Sequence, residues 1–147
     1  MAAPLSQQTM DIVKATAPAL RQHGVAITTR MYERLFENAD VKAMFDQEEQ
    51  RTGRQPNRLA AAILAYAENI DKLDALTGAV DKMAQRHVET GVHPEHYPYV
   101  ADALLPAIKD ILGDAITDET IEAWGKAYWF LADILIDAEK TKYAEQA

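Results

Sequence analysis

Four histidines and no cysteine define the ligand chemistry open to this sequence. Without thiols there can be no disulfide, thiolate metal centre or iron–sulfur cluster. Leu76, Val80, Met83 and His87 stand at i, i+4, i+7 and i+11, one face of an α-helix. Asp81, Lys82, Gln85, Arg86 and Glu89 take the other faces, so a histidine closes an apolar stripe. Such an imidazole is either a core histidine bonded to a backbone carbonyl or a ligand to a metal or cofactor. Spacing alone leaves both open. His93 and His96 are three apart, but Pro94 and Pro98 place them in a non-helical turn with no third ligand nearby, so zinc is not expected. Glu139 follows the apolar Ala132, Leu135 and Ile136 and is a candidate inward-facing acid, against the plainer reading of a surface carboxylate near a helix end. Tyr32, Phe45, Gln55 and Tyr97, taken singly, read as packing residues. No Ser/His/Asp arrangement or EF-hand pattern occurs, and GxGxxG and GxxxxGK[ST] are both absent.

The elements that must position these residues are all helical, because nothing alternates with period two over strand length. Leu5 to Gln22 reads as a first helix, capped by Ser6 or Thr9 and kinked or ended early by Pro18. Gly24 is expected to open a second helix, Val25 to Glu37, with Ile27, Met31 and Leu35 inward and Tyr32 and Phe36 beside them. Val41 to Phe45 is a short apolar piece. Asp46 to Arg54 holds no apolar residue in nine and reads as a mobile surface loop. Gln55-Pro56 opens the next helix, since proline suits a first turn, and Leu59, Ile63, Tyr66 and Ile70 continue it. After a turn at Asp71 to Asp74 comes the His87 helix, stopped by Gly91 in the left-handed conformation. His93 to Pro98 separates it from a helix through Val100, Leu104 and Ile108 to Gly113, which Pro106 should bend. Thr117 caps a last helix running to about Tyr143, with Ile121, Trp124, Tyr128, Leu131 and Leu135 as its stripe.

The chain has 147 residues, enough for one domain with a substantial core. With 15 Lys plus Arg against 23 Asp plus Glu, its net charge of −8 disfavours nucleic acid and anionic membrane surfaces as partners. The N-terminal stretch turns polar too early for a signal peptide, and no apolar run reaches membrane-spanning length. A cytoplasmic location is the expectation.

The order of these residues, with QQTMDIVKAT, QPNRLAAAIL, HVETGVHPEHYP and AWGKAYWFLADILI, resembles the bacterial single-domain haemoglobins of the Vitreoscilla type and the globin half of flavohaemoglobins. The likeness covers nearly the whole chain. It implies one all-α globin domain over residues 1–147, with six to eight helices around a haem b (iron protoporphyrin IX) pocket. By the same resemblance His87 is the proximal iron ligand, Tyr32 the distal tyrosine, Phe45 the residue packed on the porphyrin and Gln55 the distal glutamine. Leu59 would lie over the iron, Tyr97 and Glu139 would polarise the proximal histidine, and Tyr128 would be a pocket tyrosine near them. Gln55, beside the polar loop, is expected to be the less steady distal donor. Two departures stand out: the connection NADVKAMF before Phe45 looks one residue shorter, and Trp129 replaces a smaller residue. The resemblance implies reversible O₂ binding for storage or delivery, with NO and CO as further ligands and a homodimer as assembly. The alternative is NO dioxygenase, or peroxidase-like, chemistry, with a separate flavin reductase as the expected electron donor.

Overall fold

The computed structural model describes residues 5–43 and 54–146. Phe45 and almost all of the expected loop at 46–54 lie outside the described residues. Seven α-helices and no strand occur among those described, in accord with the all-α expectation. They are α1 (Gln7–Ala15), α2 (Ala17–Leu35), α3 (Ala39–Lys42), α4 (Arg54–Glu68), α5 (Thr77–Thr90), α6 (Tyr97–Leu112) and α7 (Asp118–Gln146). No helix among the described residues is long and apolar enough to cross a membrane.

The second helix starts earlier than the sequence reading has it. Ser6 caps α1 by accepting from the Thr9 amide at 3.1 Å, and the chain breaks at Thr16. As the sequence suggests, the first helix ends early, at Ala15 ahead of Pro18, which itself lies in the first turn of α2, where its missing N–H has no intrahelical carbonyl to meet. Gly24, by contrast, does not open a helix. It sits inside α2, and a Cβ built there would lie 3.4 Å from the Ala60 Cβ of α4. Glycine and alanine thus let the two helices approach closely, and Thr28, one turn on, donates to the Pro56 carbonyl at 2.8 Å. Helix α6 runs unbroken through Pro106 and begins at Tyr97, earlier than expected. Thr117 caps α7 as the sequence suggests, accepting from the Thr120 amide at 3.2 Å.

Helix α2 is the hub. It packs most closely on α6 and α4, while α7 holds α1 and α5. Val13, Ile27, Met31, Ile108 and Trp124 are in the main core between these helices. On the α2–α6 seam Arg30 and Arg34 both bind Asp110, at 2.9 and 2.7 Å, and their hydrogen bonds hold its carboxyl below the usual range. A second, smaller core joins α5, α6 and α7 through Ala84, Tyr97, Ala132 and Leu135, with Val80, Met83 and Val92 against it. Helices α4 and α5 do not pack closely on one another.

Close approach at Gly24 makes a graded prediction. Gly24→Ala should change stability by less than about 1 kcal/mol, since the gain in helix propensity offsets a tight but tolerable contact. Gly24→Leu should cost roughly 1–3 kcal/mol by overpacking against Ala60. Urea unfolding of the two variants checks this; equal midpoints would show that the seam can yield.

Candidate functional site

Helix α5 carries His87 on its Leu76–Val80–Met83 face, and that face is only half-buried; the fully buried residues of α5 are Ala84 and Val88. The helix stops just past His87. Gly91 takes φ 81°, its N–H bonds the Val88 carbonyl at 3.2 Å, and the Val92 N–H bonds the His87 carbonyl at 2.8 Å. This paired closure is the Schellman motif, and it ties the His87 backbone to the segment that follows. Pro94–His96 forms one 3₁₀ turn, after which Pro98 sits in the first turn of α6 and Tyr97 opens it. His87 and Tyr97 are thereby brought back to back across ten residues.

Between them stands Glu139 of α7. Its Oε2 lies 2.7 Å from His87 Nδ1 and accepts from the Tyr97 hydroxyl at 2.7 Å, while Nδ1 and that hydroxyl are 3.1 Å apart. Glu139 is 2 % exposed, so its inward reading holds over the surface-acid alternative. A buried carboxylate oxygen needs donors, which makes His87 the Nδ1–H tautomer here. Burial, reinforced by the hydrogen bond to Glu139 and its charge, pushes the Tyr97 hydroxyl far above its ordinary range; it stays protonated and donates. Glu139 Oε1 is buried with no partner among the described residues. Tyr128 of α7 completes the group from behind, its hydroxyl donating to the Tyr97 carbonyl at 2.7 Å.

A second polar group lies on α2 and α4. Tyr32 is 5 % exposed, with Phe36 beside it at 5.5 Å between ring centroids. The Gln55 amide in the first turn of α4 donates to the Tyr32 hydroxyl at 3.3 Å and accepts from Arg58 at 3.1 Å. Gln55 is thus tethered at both ends of its amide. Leu59, one turn on, is partly buried against the main core.

His87 fits the ligand of a flat, apolar, metal-bearing group. Its Nδ1 is engaged, its Nε2 makes no hydrogen bond among the described residues, and its side chain is 30 % exposed on a half-buried apolar face. A core histidine would have both nitrogens satisfied or shielded. The globin family profile matches residues 27–135. The chain belongs to the globin family. Among similar globins, the flavohemoprotein of Xylella fastidiosa is 51% identical over 139 residues, which cover 95% of this chain and 35% of that one. The chain therefore spans about a third of the length of the curated relatives it matches. Two solved structures share the fold across it. One, at TM-score 0.91 and 41% identity, is an engineered carbene transferase from Rhodothermus marinus described as a candidate nitric oxide dioxygenase, covering 97% of this chain and 98% of its own. The other is a flavohemoglobin from Malassezia yamatoensis with bound FAD and heme, at TM-score 0.87 and 32% identity, covering 97% of this chain and 38% of its own. In that relative the flavin accompanies the globin unit.

The structure brings His87, Tyr97, Glu139 and Tyr128 into one group and Tyr32 and Gln55 into another, with Leu59 next to the second. Tyr128 is on the histidine's side and reaches Tyr97 through the backbone. Trp129 is 39% exposed, set edge-on to Tyr128 at 5.2 Å. Among the described residues no cluster of three or more His, Asp or Glu can hold a metal. Two residues were missed in the sequence. Thr28 is fully buried and anchors the Gln55 turn; its signal is a threonine on an apolar face. Tyr143 donates to the Val92 carbonyl at 2.6 Å, and its signal is its place one turn beyond Glu139.

Proposed function

We propose that this globin binds haem b and, in the ferrous state, takes up O₂ reversibly, with His87 Nε2 as the protein ligand to iron. The observation that carries this reading is the engagement of His87 Nδ1 by Glu139 and Tyr97. It fixes the tautomer and presents Nε2 as a lone-pair donor from an apolar face. When bound, haem supplies an iron with one position open to a diatomic ligand. Everything else is done by the chain. The Glu139 carboxylate draws on the Nδ1 proton and makes His87 a stronger electron donor through Nε2. The half-buried apolar face around Val80 and Met83 would pack against the haem and so keep water from that side. On α2 the Tyr32 hydroxyl accepts from Gln55 and is the polar group this side offers to a ligand that gains negative charge on binding.

A second reading, NO dioxygenase, is favoured by the same His87–Glu139–Tyr97 group, because electron donation through Nε2 matters most when an O–O bond must break. The relatives' descriptions point the same way. The reaction joins one NO and one O₂ with one electron to give one nitrate, so it needs a reductase; a separate flavin reductase is our proposal for this chain.

Three measurements test these readings. His87→Ala should lose the five-coordinate ferrous spectrum and regain it with added imidazole. A normal spectrum without imidazole would refute His87 as the ligand.

Tyr32→Phe should speed O₂ release about tenfold, the loss of a hydrogen bond of about 1.4 kcal/mol to a charged acceptor. Gln55→Leu should do less, since Gln55 acts by orienting Tyr32. Stopped-flow release rates in the opposite order would make Gln55 the direct donor.

Nitrate counted per haem separates carrier from enzyme. Without a reductase the oxy form should turn one NO into one nitrate per haem and stop as ferric protein; NADH and an added flavin reductase should restore turnover by returning the lost electron. Under the carrier reading Tyr97→Phe and Glu139→Gln leave that turnover unchanged; turnover slowed by either variant, with O₂ binding nearly unchanged, would establish the dioxygenase.

A further inference from the structure

His93, in the six-residue link 91–96 between α5 and α6, and the tyrosine near the end of α7 have no role in the reading above, yet they meet. The Tyr143 hydroxyl donates to the Val92 carbonyl at 2.6 Å, and its ring stacks on His93 with centroids 5.1 Å apart and planes 16° from parallel. The Val92 N–H in turn holds the His87 carbonyl at 2.8 Å. His93 is tied onward, its N–H donating to His96 Nδ1 at 2.9 Å, one residue before Tyr97. Burial and the negative field of Glu139 raise the Tyr143 hydroxyl above its ordinary range, so it remains a donor.

Tyr128, Glu139 and Tyr143 all project from the same side of α7 and grip the loop between α5 and α6 at separate points. Tyr128 takes its far end at the Tyr97 carbonyl, Glu139 takes both side chains, and Tyr143 takes its near end at Val92. Only the Val92 contact bears on the backbone that follows His87 directly. We infer that Tyr143 is a positioning residue for the iron ligand. Its hydroxyl clamps the Val92 peptide, sets the end of α5, and thereby sets the distance and angle at which His87 Nδ1 meets Glu139. The inference deepens the haem reading and rests on His87 being the ligand. It also gives His93 a purpose: it is the flat surface against which the Tyr143 ring is held.

The test uses the protein as purified, reduced and saturated with CO, with Tyr143→Phe, Tyr143→Leu and the exposed Tyr99→Phe as control. Phenylalanine keeps the stack on His93 and removes only the hydrogen bond. Amide exchange at Val92 should rise about fivefold in Tyr143→Phe, the effect of one lost hydrogen bond on a local opening, and further in Tyr143→Leu. Exchange at Ile108 in the main core should stay unchanged. The decisive readouts are the ¹⁵N shift of His87 Nδ1 and, in the CO-free ferrous protein, the iron–histidine stretching frequency. Both should move in Tyr143→Phe and stay put in Tyr99→Phe. If Val92 exchange rises while both signals keep their wild-type values, Tyr143 merely braces the loop and the proposal is overturned. Unchanged Val92 exchange would overturn it as well. Should the protein carry no haem, the proposed function fails, whereas the exchange and ¹⁵N arms still decide whether Tyr143 sets His87 against Glu139.

Discussion

One carboxylate oxygen carries this structure. Glu139 Oε2 lies in an interior where an unpaired charge would cost several kcal/mol, and it receives two donors, His87 Nδ1 and the Tyr97 hydroxyl. Each of the three residues comes from a different helix, so the node exists only when α5, α6 and α7 are packed together. The dependence runs both ways. The small core of Ala84, Tyr97, Ala132 and Leu135 excludes water and makes the two donors valuable. The donors in turn make the packed arrangement the one in which that carboxylate is tolerated. Geometry at the node is also chemistry, because the proton held between His87 and Glu139 decides which ring nitrogen faces outward.

The two sides of the site are built differently. On the histidine side, backbone and side chains are bound redundantly: the Schellman closure at Gly91, the 3₁₀ turn at Pro94–His96, and hydrogen bonds from three residues of α7. On the Tyr32 side the fixed element is α2, whose Ala60–Gly24 approach and Thr28–Pro56 bond bring the first turn of α4 against it. Gln55 meets Tyr32 at 3.3 Å, a longer contact than any in the His87 node. The histidine group is braced at several points, whereas Gln55, held between Tyr32 and Arg58, meets Tyr32 through one longer contact.

Sequence pattern located the helices and singled out His87, since period and turn residues are local properties. Pro18 ends the first helix early, as proline can, and also sits in the first turn of the next. The pattern failed where the deciding contact is distant in sequence. Gly24 was taken as a boundary; its role is to admit Ala60, a contact between residues 36 apart that no local pattern encodes. The inward face of Glu139 was an open alternative, because a carboxylate on an apolar face is indistinguishable from a surface acid until its donors are known. Resemblance to a family supplied the pairing of Tyr97 and Glu139 with His87, and the geometry places those three together. Phe45 lies outside the described residues, and its role rests on the resemblance alone. Tyr143 stands one turn beyond Glu139, but its partner is a backbone carbonyl, which has no letter in the sequence, so position alone did not reveal its role.

Carrier and dioxygenase differ in what the same node must do. Reversible binding asks that electron donation be enough to hold O₂ and no more, since excess donation promotes loss of the electron with the ligand. Dioxygenation tolerates that loss, provided an electron returns, and gains from stronger donation. Glu139 with both donors in place sits toward the donating end, because its charge is dispersed by neither solvent nor a counter-ion; among the described residues no Lys or Arg hydrogen-bonds its side chain, and its Oε1 is unpartnered. Stability and donation meet at one atom. The bond from Tyr97 holds Oε2 against His87 Nδ1, and under the proposed function the pull on that proton depends on the geometry so held. The O–H···O contact is set in turn by the start of α6 and by Tyr128 behind it.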